Sequence, residues 1–265
     1  MVIIMMIGKT SEKIKLVKDM IKSISKYPNQ TITDDLEVLE LAYKFKLEIP
    51  LLLYVEQEYK EETKALLDDL INYSNESYQI SDTLYESLKL KENHAGILAV
   101  INLKSYSFDD FKNMDFTLVL DRLEIPGNIG TLYRTADSAL VKGIILVDPV
   151  VKINSIKLTS SARGCNLIIP TLCLTYLEAQ EFLLENNYDI YLGEPKLGLD
   201  YQSYDYNDKT AIVIGNERYG INNNWYQNKH KKVYIPMQGH ENSLNVSVAG
   251  SILVYETYMK KYFNK

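Results

Sequence analysis

Three short clusters of polar residues have the types and spacing to do chemistry. The first is Asp121-Arg-Leu-Glu-Ile-Pro-Gly-Asn128-Ile-Gly130-Thr-Leu-Tyr-Arg134-Thr-Ala. Pro126, Gly127 and Gly130 read as a turn after a strand, and the helix that follows presents Arg134 one turn in. Asn128 and Arg134 then reach one small volume; the plainer reading is a helix capped by Asn128 with a surface Arg134. The second cluster, Ile214-Gly215-Asn216-Glu217-Arg218-Tyr219-Gly220, sets a carboxylate beside a guanidinium in a glycine-flanked loop. Gly215 there lets a ligand approach the backbone closely, whereas an exposed Glu–Arg pair alone contributes little. The third is Ile235-Pro-Met237-Gln-Gly239-His-Glu-Asn-Ser243-Leu244-Asn245, running into Val246, Ala249, Ile252 and Leu253 at helical spacing. Ser243 and Asn245 are good cap types, and such a helix start can hold a polar or anionic ligand. A well-capped helix with no ligand is the bland alternative.

These clusters need elements to hold them. From residue 116 on, apolar runs at 117–120, 144–147, 190–192, 211–214 and 233–235 each end at Asp, Gly or Pro. Helical patterns intervene at 129–141, 153–163 and 177–187, and the last helix spans 246–262. This is an α/β series, and in open α/β sheets ligands bind beyond the carboxyl ends of the strands. Residues 1–104 form a second, smaller α/β series: helices near 11–25, from Asp34 or Asp35, at 60–72 and 82–88, with strands at 49–55, 78–80 and 96–101. Polar residues 105–115 read as a linker or short connecting helix. The apolar start, Met1 to Ile7, reads as a frayed strand or terminal extension; it is too short for a membrane span and has no basic flank. No targeting signal is visible, which makes the cytoplasm the default location.

Charge narrows the classes further. The net charge of −6 argues against broad, non-specific affinity for nucleic acid. Only four of the 29 basic residues are arginine: Arg122, Arg134, Arg163 and Arg218, all past residue 113 and each within or near a glycine-bearing loop. A chain that otherwise uses lysine points to a need for the planar fork at those places. Acids outnumber lysines 19 to 14 up to residue 113, while the remainder holds 15 basic against 16 acidic residues, so a local basic surface fits there. Cys165 and Cys173 make neither a disulfide framework nor a four-ligand metal site, and His94, His230 and His240 lack zinc spacing. Gly8-Lys9-Thr10 is not a phosphate loop, no Gly-x-Gly-x-x-Gly follows a first strand, and no Ser–His–Asp arrangement can be argued.

Taken in order, Asn-x-Gly-x3-Arg-Thr-Ala, Gly-Asn-Glu-x2-Gly and Ile-Pro-Met-x-Gly-x3-Ser-Leu-Asn-Val-Ser-Val-Ala closely resemble the SpoU (TrmH-like) branch of the SPOUT RNA methyltransferases. The amino-terminal half resembles the L30e-like substrate-binding domain common in that branch. There Asn93-His-Ala-Gly96 stands where Pro-Gln-Gly is usual, and Thr33-Asp34-Asp35 departs from the common Glu-Gly. The resemblance implies an α/β trefoil-knot methyltransferase domain over 116–265, an L30e-like RNA-binding domain over 1–104 and a linker at 105–115. It implies a homodimer formed partly by the last helix, with each active site completed from both subunits. It also implies S-adenosylmethionine as cofactor, held by Leu192, Gly193, Gly215, Asn216, Ile235, Met237, Ser243 and Leu244, and no metal. The reaction implied is 2′-O-methylation of a ribose in structured RNA, with Arg134 catalytic and Asn128, Glu217, Ser243 and Asn245 in the same pocket. Arg122 and Arg163 are candidates for RNA contact; Ser160-Ser-Ala-Arg163-Gly164 is similar to a segment of thiostrepton-resistance methylases. The separate amino-terminal domain favours 23S ribosomal RNA over transfer RNA. The competing class is a catalytically silent RNA-binding or ribosome-assembly protein that keeps the fold.

Overall fold

A computed structural model describes residues 5–206, 209–240 and 243–263. The expectation for Met1–Ile4 falls outside these residues. The chain divides into two compact units, one of residues 1–104 with 152–168, the other of 105–151 with 169–265.

The first unit runs α1 (Glu12–Ser23), β1 (Gln30–Thr33), α2 (Leu36–Lys44), β2 (Leu51–Val55), α3 (Glu61–Tyr73), β3 (Ser77–Ile80), α4 (Asp82–Glu86) and β4 (Ile97–Asn102). Its four strands lie in the order β1-β4-β2-β3, with β2 and β3 parallel and the other pairs antiparallel. β2 and most of β4 are buried on both faces, so they read as unbroken apolar runs. β1 is not expected from sequence: Gln-Thr-Ile-Thr carries one apolar residue, yet Thr31 and Ile32 are buried. Asp35 caps α2 by accepting from the Glu37 amide at 3.1 Å.

Residues 152–168, which the sequence reading assigns to the carboxy-terminal domain, cluster with this first unit. Buried Asn154 donates to the carbonyls of Ile24 and Tyr27 at 2.8 and 2.9 Å, and Thr31 donates to the Asn154 carbonyl at 3.0 Å. Leu167 joins the core around Val38, Leu39 and Ala42. The amides and hydroxyls of this joint leave no hydrophobic period in the sequence, and its apolar part, Ile156, Leu167 and Ile168, is too short to set one.

The second unit continues with α5 (Phe108–Phe111), β5 (Phe116–Asp121), α6 (Pro126–Ser138) and β6 (Gly143–Val147). The short helices α7 (Ile156–Ser161) and α8 (Cys165–Ile168) belong to the first unit. Then follow β7 (Thr171–Leu174), α9 (Tyr176–Glu185), β8 (Asp189–Glu194), β9 (Leu199–Asp200), β10 (Thr210–Ile214), β11 (Lys231–Tyr234) and α10 (Val246–Tyr262). The seven strands lie in the order β7-β6-β5-β10-β8-β11-β9, every pair parallel. The mixed α/β class with a parallel sheet is the one expected. The edge strands β7 and β9 are additions to that expectation. Central strands β5, β6 and β10 are wholly buried.

α6 begins earlier than the periodicity suggests. Ile125 is its cap position and Pro126 its first residue, where a missing N–H costs nothing. Asn128 is therefore inside the helix rather than its cap. α10 lies against α6: the Cβ of any residue replacing Gly250 would stand 2.6 Å from Leu132 Cδ2, and Thr135 and Ser251 share a hydroxyl hydrogen bond of 2.8 Å. Among the described residues no helix is long and apolar enough to cross a membrane.

Candidate functional site

The parallel sheet points the carboxyl ends of β5, β10, β8 and β11 to one side, and the loops leaving them enclose a cleft of about 760 Å³. All three sequence clusters meet there. Ile125 and Asn128 come from the start of α6, Gly215 to Ile221 from the loop after β10, and Gly193 to Pro195 from the end of β8. Ile235, Met237 and Ser243 to Asn245 arrive after β11, with Val246, Ala249 and Leu253 of α10 beneath.

A hydrogen-bonded line fixes the polar end of the cleft. Asn128 Nδ2 donates to Glu217 Oε1 at 3.0 Å, and Asn245 Nδ2 donates to Asn128 Oδ1 at 3.3 Å. Asn245 in turn accepts from the Ser247 amide at 2.9 Å and its hydroxyl at 2.6 Å, which caps α10. An ionised carboxylate only accepts, so Glu217 dictates that Asn128 offers it the NH2 and leaves its carbonyl oxygen for Asn245. Glu217 also accepts from the amides of Glu124 and Ile125 at 3.2 and 3.3 Å. Those amides lie at the start of α6, where a negative charge is favoured by the helix dipole. Glu217 is thus a structural anchor for two loops, not a free base.

Asn216 does similar work in the loop after β10. Its amide donates to the Arg122 carbonyl at 2.7 Å, while its Oδ1 accepts from the amides of Arg218 and Tyr219 at 2.9 and 3.0 Å. Asn216 and Gly220 exchange both backbone hydrogen bonds, closing the loop. Gly215 is required by crowding: a Cβ would stand 2.3 Å from the Ile221 nitrogen and 2.4 Å from the Gly220 carbonyl carbon. Asp121, fully buried at the end of β5, accepts from the Asn222 amide at 2.6 Å and from Arg122 Nε at 3.0 Å. Burial pushes its carboxyl up, and those two donors partly offset the push.

The remaining expected residues divide between the cleft and other places. Arg134 is on the exposed side of α6, does not line the cleft, and among the described residues its guanidinium has no partner. Leu192 is wholly buried in the core around Val213 and Trp225, so only the next residue, Gly193, reaches the cleft. Ser243 lines the cleft without capping α10. Arg122 is tied to Asp121 and reaches the Gly220 carbonyl at 3.4 Å. Arg163, with a left-handed backbone (φ +49°), belongs to the first unit and pairs with Glu37 at 3.1 Å, both half exposed. Sequence reasoning missed Glu194 and Tyr226 as cleft residues; the signal available for Glu194 was its place directly after Gly193 at a strand end.

Residues 115–255, slightly more than half of the chain, match the SpoU rRNA Methylase family. The chain belongs to that family. It is an RNA methyltransferase of the SpoU type, and relatives agree along most of its length. A protein of Staphylococcus haemolyticus (strain JCSC1435), provisionally named a TrmH family tRNA/rRNA methyltransferase, is 32% identical over 75% of this chain and 85% of its own. The 23S rRNA (guanosine(2553)-2′-O)-methyltransferase RlmP of Bacillus subtilis (strain 168) is 27% identical over 74% of this chain and 77% of its own. Among solved structures, the AdoMet-bound rRNA methyltransferase of Sinorhizobium meliloti superposes with a TM-score of 0.83 at 19% identity, covering 97% of both chains. At that identity the likeness to a solved structure speaks for the SpoU fold alone.

Proposed function

We propose that the protein transfers a methyl group from S-adenosylmethionine to a ribose 2′-hydroxyl in structured RNA, with 23S ribosomal RNA as the target. The observation that carries this reading is the convergence of all three clusters on one cleft at the carboxyl ends of a parallel sheet. The named activity of the Bacillus subtilis relative and the AdoMet in the Sinorhizobium meliloti structure support it. The cleft fits such a cofactor: Gly193 and Gly215 line it without side chains, apolar surface comes from Ile214, Val233 and Leu253, and polar groups stand at one end. These are the features of a small-molecule site. The bound cofactor supplies an electrophilic methyl group.

The chain's own residues must align the acceptor hydroxyl and stabilise charge as its proton leaves. Asn128 and Asn245, fixed by Glu217, hold the polar end of the cleft rigid. A guanidinium has no lone pair free to accept a proton, which disqualifies Arg134 as a base. Arg134 instead grips the adjoining RNA phosphate and stabilises the developing alkoxide, while phosphate or solvent takes the proton. Because Arg134 stands outside its own cleft, the reading includes a homodimer in which it serves the partner's. Val248, Tyr255, Met259 and Tyr262 support this: they leave an exposed apolar stripe along α10 at near-heptad spacing. The interleaved strand order, with β10 between β5 and β8, is in keeping with a trefoil knot.

Mapping 2′-O-methylation in RNA from cells with and without the gene tests the function. One ribosomal position should lose its methyl group, whereas loss from a transfer RNA would reassign the target. Calorimetry with S-adenosylmethionine gives the second check, since a silent RNA-binding protein would take up none; light scattering reads the dimer. The first unit is proposed to contact RNA through Arg163. Arg163→Ala should lower RNA affinity and flatten the log–log salt dependence by about one phosphate contact, a slope change of ~0.7–0.9. An unchanged slope removes Arg163 from the interface.

A further inference from the structure

Among the described residues, three charged side chains line the cleft: Glu194, Glu217 and Arg218. Both oxygens of Glu217 are engaged by the start of α6. Glu194 differs. It ends β8, opposite Tyr234 in the register with β11, and so stands beyond β10 from the Asn128 end of the cleft. Tyr226, in the tight turn Asn223–Gln227, donates its hydroxyl to one Glu194 oxygen. Among the described residues, the second oxygen has no hydrogen-bond partner. Burial first, and Glu194 second, push the Tyr226 phenol up, so it stays protonated and remains a donor. The Lys232 ammonium lies 5.1 Å from the centre of the Tyr226 ring, which keeps a positive charge near the pair.

A half-buried carboxylate with one oxygen held and one open calls for donors from a ligand. A ribose offers two on adjacent carbons, matching the paired oxygens of a carboxylate. We propose that Glu194 accepts hydrogen bonds from the 2′ and 3′ hydroxyls of the nucleoside part of the cofactor, with Tyr226 positioning its carboxylate. This rests on the cofactor assignment above. The amino-acid end of the cofactor is the poorer match, because its own carboxylate would be drawn towards Glu194. The cleft then has two functional ends: a ribose end at β8 and a transfer end at α6.

Calorimetry with S-adenosylhomocysteine, its 2′-deoxy and 3′-deoxy forms and methylthioadenosine tests this without any turnover. Wild-type protein should bind each deoxy form at least about tenfold more weakly than the parent, as expected for hydrogen bonds to a charged group. Glu194→Ala should bind the parent about tenfold more weakly and lose the discrimination, and Glu194→Gln should retain only part of it. Tyr226→Phe should reduce discrimination without abolishing it. Discrimination that is absent in wild type, or undiminished in Glu194→Ala, overturns the proposal, as does equal binding of methylthioadenosine by wild type and Glu194→Ala. No binding of the parent by wild type would overturn the cofactor assignment itself, and this proposal with it.

Discussion

Arg134→Ala should lower the methyl-transfer rate by about 10²–10³-fold at saturating cofactor, the usual loss when a preorganised charge is removed from a transition state. The thermal midpoint should barely move, because the side chain is exposed and makes no contact that folding relies on. Single-turnover rates with a ribosomal RNA fragment, beside a melting curve, check both statements. Arg134→Lys is the sharper variant. Lysine is the better base but cannot make the bidentate phosphate contact, so the grip reading expects a rate still more than about tenfold down. Near-normal turnover in Arg134→Lys would sink that reading.

Gly215→Ala should be the most damaging small substitution in the cleft. The added carbon would meet backbone atoms of Gly220 and Ile221 at 2.3–2.7 Å, and backbone cannot rotate aside as a side chain can. The loop from Asn216 to Gly220 must shift, breaking the paired backbone hydrogen bonds that close it. Overpacking of this kind costs about 1–3 kcal/mol, and affinity for S-adenosylmethionine should fall at least about tenfold. Gly127→Ala is the matched control for stability. Nothing stands within 4 Å of its added carbon, and inside α6 alanine is favoured over glycine by up to about 1 kcal/mol. If denaturant melts show the two variants equally stable, the crowding at Gly215 is not real.

The parts of the molecule legible in sequence were those with a strong local period or a strong local breaker. β5, β6, β10 and the whole of α10 could be read because buried parallel strands are unbroken apolar runs and a long helix repeats its apolar face. β1 and β7 were not, since each is only four residues long and carries threonine, which fits a loop equally well. The cleft was legible as three motifs but not as a geometry. Asn128 looked like a cap because Asn is a good cap, yet Pro126 starts the helix two residues earlier and turns that amide towards Glu217. That Glu217 is fully engaged, and that Glu194 is not, follows from contacts across 89 and 32 residues of chain. No local window contains them.

The polar seam around Asn154 decides how this protein can be taken apart. Because residues 152–168 complete the core of the first unit, the chain passes between its two units three times rather than once. A fragment ending at residue 104 lacks α7, α8 and the groups that satisfy Thr31 and the turn after α1. Exchange of the amino-terminal unit between relatives therefore requires two inserted pieces with three junctions. The first unit is thus a discontinuous block, its second piece carried in the chain between β6 and β7 of the second.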